Sequence, residues 1–278
     1  MAIASAGIFF VAARSWQLLS GAISRTPDFA DSIMSEAAQR FRDELQLLSR
    51  AQATWLGAAL VFTVMYTMAM LFREPKLFEG YPEWQLWVLL TALGAAAAFA
   101  SYRLVRTIVS WRHVRLLRDA NLAIGHQLQS IASGHGRAYH DVRTSAGVID
   151  HVLIGQAGIY AVHVIARRRS GGGQASLAAG EISFSTGGAP VAVADIVAAG
   201  RRLEEDFARL AGRAIRVRSV IAVPGWDIGE QSGNEHLLVN EHMLPMIRGW
   251  KDQNDYLVNE DLDVLQEALT RRCRLSAG

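Results

Sequence analysis

Gly147-Val148-Ile149-Asp150-His151-Val152-Leu153-Ile154-Gly155, then Gln156-Ala157-Gly158, then Ile159-Tyr160-Ala161-Val162-His163-Val164-Ile165: this stretch decides the reading of the chain. Two apolar runs flank a tight glycine-containing turn, which predicts a β-hairpin. Asp150 and His151 interrupt the first run and His163 the second. Polar groups inside such strands cost free energy unless they are paired or used.

Outward from the hairpin the pattern alternates between strand and helix. Upstream, Tyr139-His140-Asp141-Val142 reads as a short strand, with a turn at Thr144 to Gly147. Before it runs a long helical pattern (Val105, Ile108, Val109, Val114, Leu117, Leu122, Ile124, Leu128, Ile131), stopped by Ser133-Gly134-His135-Gly136. Downstream, Arg167-Arg168-Arg169-Ser170-Gly171-Gly172-Gly173 is a basic loop. Glu181 to Ser185 reads as a strand, and Val193 to Leu210 as an amphipathic helix. Ile215 to Val223 and Leu237-Leu238-Val239 read as strands, Glu241 to Trp250 as a helix, and a last helix starts at Asn259, a capping residue type. The order implies an α/β domain with a mixed β-sheet flanked by helices.

The first hundred residues are of a different kind. Residues 51–72 carry no charge over 22 residues and 85–102 none over 18, enough for two membrane-spanning helices. Pro75, Gly80 and Pro82 forbid one continuous helix between them. Phe78, Tyr81, Trp84 and Trp87 crowd one end as an aromatic belt, and Gly94, Ala98 and Ser101 opposite Gly57 and Ala58 allow close packing. Ahead of this hairpin, residues 31–50 have the apolar spacing of an amphipathic helix, and 1–23 read as an interfacial helix or as a tail without structure. Arg40, Arg42 and Arg50 before the first span, and Arg103, Arg106, Arg112, Arg115 and Arg118 after the second, outweigh Arg73 and Lys76 between them. The positive-inside rule then places both termini in the cytoplasm of a bacterial-type inner membrane, with Trp111 and the arginines near anionic headgroups. The expected division is 1–50 amphipathic helices, 51–104 transmembrane hairpin, 105–254 α/β domain and 255–278 C-terminal helix.

A net charge of +2 points to no partner by itself, and lysine occurs only at Lys76 and Lys251. The single cysteine, Cys273, excludes an intrachain disulfide; among Arg271, Arg272 and Arg274 it reads as a surface thiol near the terminus.

The second half resembles the nuclease-related domain, NERD, a branch of the PD-(D/E)xK nuclease superfamily. The resemblance is carried by Gly125, by Ile149-Asp150-His151 leading to Gly155, by Gly158-Ile159-Tyr160-Ala161-Val162, and by the later helix, strand and Leu237-Leu238-Val239-Asn240. It covers about residues 121–254 and implies a restriction-endonuclease-like fold with a divalent metal as cofactor. In that superfamily an Asp and a Glu hold the metal, which polarises the scissile phosphate. A Lys two residues beyond the Glu shares its strand face. Asp150 falls at the family Asp, the position that would serve catalysis in an active enzyme. His163 falls at the Glu, Ile165 at the Lys and His126 at the helical Glu. Arg167 shares strand parity with His163, but a guanidinium stays protonated and cannot act as a base.

Three readings follow from these substitutions. In the first, the domain is catalytically degenerate, a pseudoenzyme that binds or scaffolds, with nucleic acid as one partner. In the second, His126, Asp150 and His163 form a rebuilt metal site suited to a transition metal, and the chain is an active metal-dependent nuclease. In the third, it is a membrane assembly protein with no nucleic-acid role. The expected partners are the lipid bilayer, a phosphate backbone met by Arg167, Arg168 and Arg169, and a second copy or another membrane protein.

Overall fold

The computed structural model describes residues 36–71, 82–132, 136–169, 171–186, 188–233, 235–250 and 255–273. The expectations for 1–23, for the start of the amphipathic helix and for most of the inter-span loop lie outside these residues. All described residues belong to one compact unit, Ser35–Cys273.

Two long helices come first. α1 (Gln39–Leu71) joins the amphipathic segment and the first apolar run without a break, and α2 (Glu83–Ala132) does the same for the second run and the helical pattern after it. At 50 residues α2 extends about 75 Å. The expected boundaries at 50 and 104 therefore fall inside continuous helices. Both helices are long and apolar enough to cross a membrane. Many of their apolar side chains face outward: Leu60 is 59% exposed and Trp84 64%. The two helices touch through Trp55 and Phe99, whose rings meet edge to face at 5.9 Å. Gly94 faces α1, where an added Cβ would sit 3.7 Å from Tyr66. Gly57 faces open space, so the expected small-residue contact is built on one side only.

Among the described residues nine strands follow in two sheets. The first has β1 (Gly136–Thr144), β2 (Gly147–Gly155), β3 (Gly158–Val164), β7 (Val217–Ala222) and β9 (His236–Val239), adjacent in that order. β1, β2 and β3 are antiparallel, whereas β3, β7 and β9 are parallel. The second sheet runs β6 (Val191–Ala192), β5 (Glu181–Phe184), β4 (Gln174–Ala178), β8 (Asp227–Gln231). The fold is thus mixed α/β, with two long apolar helices and two sheets.

The first sheet is covered on both faces, as a β3 buried along nearly its whole length requires. On one face Ile124 and Leu128 of α2 pack with Leu153, Tyr160, Val162 and Val220. On the other, Leu203 and Phe207 of α3 (Val193–Ala211) and Leu265 and Leu269 of α4 (Asn259–Cys273) pack with Val152, Ile154, Ile159 and Ala161. α4 is therefore part of this core rather than an appendage. Cys273, expected at the surface, is 1% exposed within it, and burial pushes its thiol up to about 12. The helix expected over 241–250 is reduced to a 3₁₀ turn, Leu244–Arg248, with Pro245 in its first positions. Proline offers no N–H for an α-helical bond. Asn259 begins α4, but its side-chain oxygen accepts Gln156 Nε2 at 2.9 Å.

Candidate functional site

The site gathers where the start of α1 meets the β1–β2 hairpin. The register that pairs His140 with His151 and Val142 with Ile149 sets Asp141 opposite Asp150. Each strand thus contributes a His and an Asp at the same level. Asp141 holds a left-handed φ of 52°, an uncommon backbone for a residue with a side chain.

Both carboxylates are buried, and both meet Arg40. Its Nη2 donates to Asp150 Oδ1. Its Nε lies 3.4 Å from Asp141 Oδ1, and its main-chain N–H points at Asp141 Oδ2 at 3.4 Å. α1 has no acidic residue in its first turn. Asp141 supplies the negative charge that a helix N-terminus favours, from another element. Asp150 Oδ2 accepts the Val164 N–H at 2.8 Å, which ties the carboxylate to β3. Burial raises Asp150 to about 6, although Arg40 and the Val164 N–H oppose it; Asp141 adds to the rise. Asp141 is also raised, by its own burial, against Arg40.

Beside this seat the two histidines form a buried pair, Nδ1 to Nδ1 at 2.8 Å. One Nδ1 must carry the proton and the other accept it. Both pKa values are lowered, chiefly by burial. The neighbouring His126 charge adds to the effect on His140, and His140 and Arg40 add to that on His151. Gly125 of α2 leaves room for the pair and for α1. A Cβ there would lie 2.7 Å from Ala37 Cβ and 3.5 Å from His151 Cε1.

The sequence-derived trio does not assemble. Asp150 is held by Arg40, and His126 is exposed on α2. His163 looks toward α3 on the other face of the sheet, where an added Gly200 Cβ would sit 3.5 Å from its Nε2. It is 4% exposed and its pKa falls to about 4, first through burial and then through His236. Its Nε2 has no hydrogen-bond partner among the described residues, and the same holds for Ser219 Oγ and His236 Nδ1 nearby on that face. Among the described residues no three His, Cys, Asp or Glu side chains are grouped to hold a metal ion. His126, Asp150 and His163 are thus not brought together among the described residues. α2 and α3 cover opposite faces, and the one carboxylate already has a cation.

The basic run is also divided. Arg167 donates to the Ala189 carbonyl at 2.9 Å and lies over the Phe184 ring. Arg169 donates to the Gly171 and Gly225 carbonyls and pairs with Asp227 at 2.9 Å. Arg168 is exposed. Two of the three guanidiniums therefore pin loops together instead of forming an open patch.

Sequence reading passes over Arg40, Asp141 and the His140–His151 pair. One signal for the last two was present. His140-Asp141 and Asp150-His151 are mirror images about the Thr144–Gly147 turn, and an antiparallel pair places such images side by side. Comparisons with family models, with curated proteins and with solved structures find no match to this chain.

Proposed function

We propose that the protein is membrane-anchored and non-catalytic. Its helical hairpin spans a bilayer, and its cytoplasmic domain, of restriction-endonuclease-like ancestry, acts by binding or scaffolding. One observation carries this reading: the only nuclease-family acidic position retained here, Asp150, is buried and paired with Arg40. A guanidinium in that place neutralises the carboxylate but cannot activate water or polarise a phosphate as a divalent metal does. The engagement of Arg167 and Arg169 favours a scaffold without nucleic acid over a nucleic-acid binder.

The test uses the full chain in lipid nanodiscs, incubated with DNA and with RNA under Mg²⁺, Mn²⁺ and Zn²⁺. No cleavage is expected. Metal-dependent cleavage that disappears in Asp150→Ala would establish an active nuclease instead. Titration with the same nucleic acids at low salt separates the binding roles. Binding that weakens steeply with salt and is reduced in Arg168→Gln would assign a nucleic-acid partner, and none leaves the scaffold.

A further inference from the structure

The contact between α1 and the sheet joins four elements through one side chain. Arg40 belongs to α1, Asp141 to β1 and Asp150 to β2, and Asp150 in turn holds the Val164 N–H of β3. Arg40 is also the only positive group paired with these two buried carboxylates among the described residues. Withdrawing Arg40 would leave both buried carboxylates without their cation. The Asp150 end of the β2–β3 pair is thus tied to α1 through Arg40.

The docking is close and strained. Ala37 fills the space that a side chain at Gly125 would take. Ala38, one residue on, has φ 63°, and Asp141, on the other side of the contact, has φ 52°. Non-glycine residues in this region are strained and persist where surrounding contacts hold them. From this strained turn α1 runs as one helix to Leu71, through the whole of its outward-facing apolar stretch. A continuous helix carries a shift at one end to the other.

We infer that the first turn of α1 is a latch. A shift of α1 against α2 within the bilayer withdraws Arg40 and frees the Asp150–Val164 end of the sheet. The site then reports on the state of the membrane hairpin, which is the regulated feature of the scaffold. This inference rests on the hairpin lying in a bilayer.

Hydrogen exchange at Val164 reads the latch. The full chain is placed in nanodiscs whose hydrocarbon cores are about 27 Å and about 33 Å thick, because spanning helices answer such a change by tilting. Exchange of the Val164 amide is expected to differ about tenfold between the two, equivalent to about 1.4 kcal/mol in the ease of opening that segment. Arg40→Gln is expected to exchange fast in both thicknesses. Wild-type exchange that ignores thickness, or an Arg40→Gln that exchanges as slowly as wild type, would overturn the latch. A Leu60→Cys variant that labels freely with a charged maleimide in the nanodiscs would show that the helices are not embedded. That outcome removes the membrane reading and the latch with it, whereas embedded helices with unchanged exchange remove the latch alone.

Discussion

Gly125 shows how one missing side chain shapes the site. A Cβ at this position would approach Ala37 Cβ to 2.7 Å, closer than two carbon atoms tolerate, so α1 would have to move. Gly125→Ala is therefore expected to destabilise the protein by about 1–3 kcal/mol, the usual range for overpacking. Ala37→Gly in the same chain is expected to restore much of that loss, because it removes the opposing methyl. Denaturant midpoints of the two single variants and the double variant measure it, and additive losses would show that Ala37 is not what Gly125 accommodates. The resemblance picked out Gly125 and Asp150 from their places in a motif. It could not supply Arg40, which is 110 residues from Asp150 and lies outside residues 121–254. A long-range ion pair leaves no trace in local spacing.

Among the elements, those with strong periodicity were legible. The hairpin at β2–β3, the helix α3 and the strand β7 lie within about two residues of their expected limits. β4 and β8 were not legible: Gln174-Ala175-Ser176-Leu177-Ala178 and Asp227-Ile228-Gly229-Glu230-Gln231 are short and rich in small or polar residues. Pairing with neighbouring strands, not intrinsic preference, makes them strands. Helix α1 is the reverse case. Its apolar run was plain, but its continuity with the amphipathic start is visible only in the structure. Leu56, Leu60 and Val64 recur four residues apart and are all exposed, which is a face without a protein partner among the described residues. In a bilayer this face meets lipid. Leu60→Cys in nanodiscs is then expected to resist a charged, membrane-impermeant maleimide, while Arg115→Cys reacts. The native thiol stays silent in this assay, because Cys273 is buried and its pKa is pushed up to about 12. Equal labelling at both positions would remove the spanning reading.

Across the whole molecule the buried ionisable groups oppose one another with pH. His163 is lowered from 6.5 to about 4, and His140, His151 and His236 are lowered too. Between pH 4 and 6.5 the unfolded chain takes up a proton at His163 that the folded chain refuses, and His140, His151 and His236 act in the same direction. Each such proton makes stability rise with pH by about 1.4 kcal/mol per unit. Asp150 has the opposite sign. Raised from 3.8 to about 6, it holds a proton in the folded state that the unfolded carboxylate has lost, so its contribution falls as pH rises through that window. Asp141, also raised, acts in the same direction. With His140, His151 and His236 acting in the same direction as His163, a net rise is expected. The unfolding midpoint is expected to climb between pH 5 and 6.5 and level off above 7, where the histidines are neutral in both states. Asp150→Asn removes one opposing group, so the climb below pH 6 should steepen although the midpoint at pH 7 also changes. Thermal unfolding of wild type and variant over this range measures both slopes. A wild-type midpoint that falls as pH rises from 5 to 6.5 would mean that the carboxylate seat, and not the histidines, dominates the buried charge.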